Sequence, residues 1–425
     1  MSTMVKAGAR DPAEGTAPAP AAIWSRAEAL LPVLLARQAE TESNNQYSQE
    51  THQVFSEAGF YRILVPRKFG GLELGIEAHV RTVMAIARAC PSTAWQLCFG
   101  SSHAVNTGLM FDEAAQGQIF SGDFICPMTI KPQGKIVQGP EGDWRLSGVF
   151  NYCSGIPYAT HFMSHALPVY RDGNKGEPVT FLARRGDWQE IRDWGDTLGL
   201  KGSGSNSIRF ENVLIPDRFV LRTMVARDES AIRDFGKRTR GASPTYYGRT
   251  LSWLILQPAT IAVGAVKGAL DEYSELAGTK TTILPPIQLR RENPDFQRWF
   301  GHAIGRLSAA EAAILNTAQQ WTERARQDML GETPFSAGEN ARLALISAEA
   351  ISMAWSVMEE LLWRTAGTTP TKDGERMQRL FRDMSMIRSH AFNAGFDIFA
   401  RDLANEVFKN AGKGIWDRAP DSVPS

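Results

Sequence analysis

Apolar residues recur at three- and four-residue steps from about residue 23 to residue 120, the signature of amphipathic helices. The run Ile23-Trp-Ser-Arg-Ala-Glu-Ala-Leu-Leu-Pro-Val-Leu-Leu-Ala-Arg37 predicts a first helix. Ser48 to Gly59 predicts a second, with Gly59 as its C-cap. Phe60 to Leu74 cannot continue as helix, because Pro66 and the Gly70-Gly71 pair interrupt it. Ile76 to Cys90 and Thr93 to Leu109 predict two more helices.

The pattern changes near residue 123. Short β-branched runs now alternate with Gly, Pro and Asp clusters, at 134–139, 144–148, 162–170, 179–183 and 207–213. They predict a small antiparallel β domain. Within it, Asp143 to His161 reads as a strand, a Gly turn and a second strand ending in small polar residues. From Tyr247 to Gly412 helical periodicity returns, with long helices expected over 297–327 and 341–365. Helices of that length pack as antiparallel bundles. The expected organisation is a disordered lead-in (1–22), an N-terminal helical domain (23–122), a central β domain (123–222) and a C-terminal four-helix bundle (223–425). The fold class is thus α+β, mostly α.

Composition narrows the partners. The 46 acidic and 46 basic side chains cancel, so nothing argues for nucleic acid or an anionic membrane surface. No apolar stretch of membrane-spanning length stands out in the sequence, and no membrane partner is expected. Residues 1–22 are rich in Ala, Pro and Gly and lack the apolar run of a signal peptide. Cys90, Cys98, Cys126 and Cys153 form no CxxC or Cys/His metal spacing, which fits free thiols in a reducing cytoplasm. His52, His79, His161, His165 and His302 share no ligand spacing either, and no metal is expected.

Three local patterns, in this order, resemble the acyl-CoA dehydrogenase superfamily over roughly residues 23 to 412. They are Pro66-Arg-Lys-Phe-Gly-Gly71, the stretch Ser147-Gly-Val-Phe-Asn-Tyr-Cys-Ser-Gly155, and Leu198-Gly-Leu-Lys-Gly-Ser-Gly-Ser-Asn-Ser-Ile-Arg-Phe-Glu-Asn-Val-Leu-Ile-Pro216. Two departures point away from the dehydrogenases themselves. Pro127-Met-Thr-Ile-Lys-Pro-Gln-Gly134 replaces their Thr-Glu-Pro-x-x-Gly-Ser run, and Glu406 to Trp416 lacks their Ile-Tyr-Glu-Gly-Thr segment. The stretch Arg379-Leu-Phe-Arg-Asp-Met-Ser-Met-Ile-Arg-Ser-His390 is instead similar to the two-component flavin-dependent monooxygenases of the same fold. That group includes the oxygenase component of p-hydroxyphenylacetate hydroxylase and dibenzothiophene monooxygenase.

The resemblance implies reduced FMN or FAD delivered by a separate flavin reductase, O2 as co-substrate, and a C4a-hydroperoxyflavin that oxygenates a small aromatic or apolar substrate. Carbon, sulfur and nitrogen oxygenation all remain open, with aromatic hydroxylation first. It also implies a homotetramer. It places Ser154, after Tyr152, against flavin N5, where a hydroxyl can donate or accept; an ordinary turn serine is the alternative. It places His390 on the peroxide side of the ring and His103, on the helix before the β domain, beside the substrate. For each, a satisfied core histidine is the alternative. Gly202, Ser203 and Ser205 could present N–H groups and hydroxyls to the flavin or its phosphate, or form a plain turn. Trp95 lines the pocket or belongs to the core. Arg382 and Asp383 are expected to pair and fix the last helix. Phe392 stands where phenol-hydroxylating relatives often have Tyr, which argues against phenol recognition by that route.

Two other readings stand beside this one. An FAD-dependent acyl-CoA dehydrogenase would hold oxidised FAD tightly and be reduced by a thioester without oxygen. A non-catalytic helical scaffold of the same fold would bind no flavin.

Overall fold

The computed structural model describes residues 18–224 and 243–409. The first helical region holds α1 (Pro20–Ala29), α2 (Leu31–Ala36), α3 (Gln38–Ser43), α4 (Gln49–Ala58), α5 (Gly75–Ala89), α6 (Pro91–Ser101), α7 (Ala104–Met110) and α8 (Glu113–Ile119). The chain turns helical at Pro20, inside the segment expected to be disordered, because a proline fits the first helical turn, where its missing N–H has no partner to lose. The single helix expected over 23–37 is two short ones, with Pro32 in the first turn of α2. α4 has the caps its sequence predicts: Ser48 Oγ accepts the Thr51 N–H, and Gly59 closes the helix at φ 84°. Thr93 to Leu109 is not one helix either. It breaks after Ser101, and His103 becomes the N-cap of α7.

Seven strands follow: β1 (Lys135–Gln138), β2 (Trp144–Phe150), β3 (His161–Val169), β4 (Val179–Arg184), β5 (Gln189–Ile191), β6 (Ser207–Ile215) and β7 (Val220–Leu221). They form one sheet in the order β5-β6-β2-β1-β3-β4-β7. Its pairings are antiparallel except β1 with β3, which run parallel, so the sheet is not purely antiparallel as expected. Phe150, Phe162, Phe181 and Phe210 pack edge-on at its centre, Phe150 to Phe210 at 5.4 Å.

The expected strand–turn–strand around Gly148 is also corrected. Gly148 lies inside β2 at φ 146°, where the register against β6 shifts between Leu146 and Gly148. A second strand does not follow. Residues 151–160 form a loop with a 3₁₀ turn at Ile156–Tyr158. This loop pairs with the segment before β6: Cys153 N–H donates to Asn206 O (3.1 Å) and Gly155 N–H to Gly204 O (3.2 Å). The pairing puts Ser154 beside the Gly202–Ser205 turn.

The C-terminal region is helical: α9 (Thr250–Thr279), α10 (Pro294–Met329), α11 (Ala337–Ser356, prolonged by a π-helical stretch Val357–Trp363), α12 (Arg376–Arg388) and α13 (Ala391–Lys409). α9 runs through the middle of the protein. Gly264 and Gly268 let it lie against α5, since a Cβ there would stand 2.5 Å from Met84 O and 2.3 Å from Arg88 O. By length and composition α9 and the helical run Ala337–Ala366 are apolar enough to cross a membrane, contrary to the sequence reading. In α9, 89% of that apolar window is buried within the protein, the condition of a core helix.

Candidate active site

One face of α6, continued by the turn that leads into α7, organises the site. Trp95, Phe99 and His103 recur every four residues, so their rings form a row. Trp95 and Phe99 lie 4.7 Å apart, and Phe99 and His103 6.4 Å apart. His390, just past the end of α12, meets the Trp95 ring edge-on at 5.4 Å. The two histidines named from sequence therefore flank one aromatic row.

A chain of hydroxyls starts from the same indole. Trp95 Nε1–H donates to Ser154 Oγ (2.9 Å). Ser154 Oγ bonds Ser205 Oγ (2.8 Å), and Ser205 Oγ bonds Ser203 Oγ (2.7 Å). An indole N–H can only donate, so Ser154 accepts from it and keeps its own proton for Ser205 or for a bound molecule. Ser203 and Ser205 are buried, whereas Ser154 is half-buried at the open end of the chain.

The turn carrying Ser203 and Ser205 is held on three sides. Gly204 N–H donates to Asn45 O at 2.8 Å. Leu200 N–H donates to Asp383 Oδ1 at 2.6 Å, and Arg382 Nη1 donates to Leu198 O at 2.9 Å. Gly199 sits between the two grips, where a Cβ would stand 2.2 Å from Arg382 O. Arg382 and Asp383 thus share no hydrogen bond, contrary to the expected pair. Arg382 pairs with Glu42 (2.7 Å), which also takes Arg379 (2.7 Å). Set about 100° apart on α12, they grip one loop at two points, Arg382 at the Leu198 carbonyl and Asp383 at the Leu200 amide. Burial pushes the Asp383 carboxyl up to about 7, partly offset by the Leu200 N–H and by Arg382.

Both histidines are neutral near pH 7. Burial pushes His390 and His103 down to about 4. His103 Nδ1 lies 2.8 Å from Cys126 O and 3.0 Å from Phe99 O. Carbonyls only accept, so Nδ1 carries the proton and Nε2 the lone pair. Nε2 has no partner among the described residues.

Other candidates fall outside this row. Tyr152 is exposed (59%) and packs edge-on against Trp194 at 5.2 Å. Gly202 is backed against α3, where a Cβ would stand 2.4 Å from Thr41 Cγ2, so its lack of a side chain serves packing. The Phe392 side chain lies outside the described residues, as does the segment from 410. Phe99 and the Asp383 grip were not read from sequence. The four-residue step from Trp95 to His103 was the available signal for Phe99. A separate cleft of about 100 Å³ lies among α1, α2, α5, α9 and α10, and none of the site residues lines it.

Two family descriptions match this chain. The acyl-CoA dehydrogenase N-terminal domain matches residues 27–118, and the acyl-CoA dehydrogenase C-terminal domain matches residues 256–394. The chain belongs to the acyl-CoA dehydrogenase superfamily. Within that superfamily it is similar to the oxygenase subunit HsaA of a flavin-dependent monooxygenase from Rhodococcus jostii, 28% identical over 374 residues, covering 87% of this chain and 94% of the relative. It is similar to a pigment production hydroxylase from Rhodococcus sp., 26% identical over 378 residues, covering 87% and 92%. The structure of XiaF from Streptomyces sp., in complex with FADH2 and glycerol, superposes with a TM-score of 0.82 at 20% identity, over 96% of this chain and 97% of that one. The acyl-CoA dehydrogenase fold so identified places its three parts as the sequence predicted, with the β sheet between the helical regions.

Proposed function

We propose that this chain is the oxygenase component of a two-component flavin-dependent monooxygenase. It takes reduced FMN or FAD from a separate reductase, reacts it with O2, and oxygenates a small aromatic or apolar substrate. One observation carries the reading: Trp95, where the hydroxyl chain through Ser154 starts, meets a neutral histidine, His390, and among the described residues no carboxylate base is seen against that indole. A dehydrogenase of this fold needs such a base; an oxygenase needs a proton donor and a dry wall. The named functions of the relatives point the same way.

The residues fit an isoalloxazine. Its N5 accepts a hydrogen bond when oxidised and donates one when reduced, and the Ser154 hydroxyl can serve either state. Trp95 and Phe99 offer flat apolar contact. When bound, the reduced flavin supplies the electrons that activate oxygen. The chain's own part is to exclude water with the buried row, orient the ring through Ser154, hold a proton-transferring imidazole at His390, and offer the Nε2 lone pair of His103 to the substrate.

The finer expectations belong to the same reading. The protein is a cytoplasmic homotetramer, with Ile304, Ile398 and Phe408 as exposed apolar positions on the C-terminal helices. Light scattering at four times the chain mass supports that assembly, and a monomer mass rejects it. The function is tested by anaerobic stopped-flow mixing of the protein and photoreduced FMN or FAD with oxygenated buffer. A transient absorbance before oxidised flavin returns supports the oxygenase. Oxidation at the free-flavin rate with both cofactors, together with bleaching of bound FAD by an acyl-CoA thioester, assigns a dehydrogenase instead.

A further inference from the structure

Residues 41–47, the end of α3 and the turn into α4, touch each of the four elements that carry site residues. Toward α6, the Tyr47 N–H donates to Gln96 Oε1 at 3.3 Å, next to Trp95. Toward the loop that carries Ser154, Tyr47 O accepts from the Tyr158 hydroxyl at 2.9 Å, and the two rings stack 5.2 Å apart. Toward the turn of Ser203 and Ser205, Asn45 O accepts the Gly204 N–H, and Thr41 backs Gly202. Toward α12, whose end leads to His390, Glu42 Oε2 takes Arg379 Nε and Glu42 Oε1 takes Arg382 Nη2, both at 2.7 Å.

The first three contacts rest on main-chain groups of the segment or on close packing. The fourth depends on one side chain. Arg379 and Arg382 are three residues apart, so both reach a single carboxylate from one side of α12. Neither has a second carboxylate at ion-pair distance among the described residues. Arg379 is buried, and its Nη1 donates to the neutral amide of Gln38 at 3.1 Å. A buried guanidinium that loses its carboxylate keeps the cost of burial without the pairing that offset it. Burial raises the Glu42 carboxyl, but the bonds from Arg379 and Arg382 hold it below its ordinary value, so it is ionised near neutral pH. The apolar stripe of Met377, Leu380, Met384 and Ile387 seats α12 on the core. Apolar contact is non-directional, so it sets how deeply the helix lies, and the ion pairs set its register. Arg376, one turn earlier, is held elsewhere, at Arg88 O and Glu272. Glu42 is therefore the anchor nearer to His390.

We propose that Glu42 is a positioning residue for the oxygenase reaction: one carboxylate shared by two guanidiniums sets α12 against the hydroxyl chain and so places the His390 imidazole at Trp95. Both of its oxygens are taken by the guanidiniums, so it acts through α12. This rests on the oxygenase reading and adds a residue on which the reaction depends from outside the aromatic row.

Two measurements on the full-length protein test this, and the first needs no flavin. Diethylpyrocarbonate acylates accessible neutral imidazoles, and peptide mass spectrometry gives the rate at each histidine. In Glu42→Gln, which keeps the size and loses the charge, His390 should be acylated several-fold faster than in wild type. His103 should stay protected, because it is held at Cys126 O on another element. The second measurement is the stopped-flow transient with reduced FMN or FAD and no substrate. It should decay several-fold faster in Glu42→Gln than in wild type. The pair Glu42→Gln/His390→Ala should decay at the rate of His390→Ala alone, because a residue that acts through the imidazole has nothing left to place. An unchanged His390 acylation rate in Glu42→Gln overturns the proposal. So does equal acceleration at His103, which would mean a general loosening of the fold, or a double variant that decays faster than His390→Ala. A wild type without any transient refutes the oxygenase reading, whereas the acylation rates decide separately whether Glu42 places His390.

Discussion

Ser154 holds two relationships at once, and they make opposite demands on its single proton. Trp95 Nε1–H fixes one lone pair, while Ser205 or a flavin edge receives the proton. Ser154→Ala should leave a buried indole N–H unpaired and lower stability by roughly 1–3 kcal/mol. It should also raise hydrogen peroxide released per flavin oxidised, whereas Ser154→Thr, which restores a hydroxyl, should return both toward wild type. Unchanged peroxide yield in the alanine variant removes Ser154 from the flavin. For His390, a neutral imidazole against Trp95, the expectation is a loss of rate. General acid catalysis is worth about 10²–10⁴-fold, so His390→Ala should reduce product formation by a factor in that range with an unchanged circular dichroism spectrum. Product formation within a few fold of wild type assigns the imidazole to packing alone.

At the scale of elements, the grip of α12 on residues 198–200 joins the helix that ends near His390 to the turn that carries Ser203 and Ser205. Asp383 has a carboxyl raised to about 7 by burial, above its unfolded value. A raised carboxyl contributes most below its unfolded value and loses that contribution as pH climbs through the folded one. Asp383→Asn keeps an oxygen to accept the Leu200 N–H and removes the titration. It should match wild type in melting temperature near pH 5 and exceed it near pH 8.5, by a few degrees. Asp383→Leu should lose the bond, raise peroxide leakage, and melt lower at pH 5. Equal pH profiles for wild type and Asp383→Asn show a solvated carboxyl.

This level also shows what the sequence could disclose. Ser154, His103 and His390 were named from stretches whose local pattern resembles a family, and Trp95 from helical spacing; the structure brings Trp95 against Ser154 and His390, with His103 along the same row. The α4 caps were legible because Ser48 and Gly59 act within one turn. The break after Ser101, the continuation of β2 through Gly148 and the separate bonds of Arg382 and Asp383 were not. Each is decided by a distant partner: Cys126 O for His103, β6 for Gly148, Leu200 and Glu42 for the Arg-Asp pair.

The whole molecule buries an unusual set of neutral histidines, and this makes its stability sensitive to acid. Burial pushes His79 down to about 3, and His103, His161, His165 and His390 to about 4. In the unfolded chain a histidine titrates near 6.5, so between about pH 6.5 and 4 the unfolded state binds protons that the folded state refuses. The histidines' contribution is therefore complete well above pH 6.5 and declines as pH falls through that window. One pKa unit is worth 1.36 kcal/mol, so each of these histidines withdraws about 3 kcal/mol by pH 4. Glu42, held low by Arg379 and Arg382 against the opposing pull of burial, adds to the loss at the acid end. Asp383 works in the opposite direction, but it is one group against five. A folded domain holds only about 5–15 kcal/mol in reserve, so the histidines together suffice to unfold it before pH 4. Melting temperature measured from pH 7.5 to 4.5 should be level down to about 6.5 and then fall steeply. A level profile down to pH 5 would mean that water reaches these imidazoles, and the dry pocket argued for the flavin would lose its physical basis.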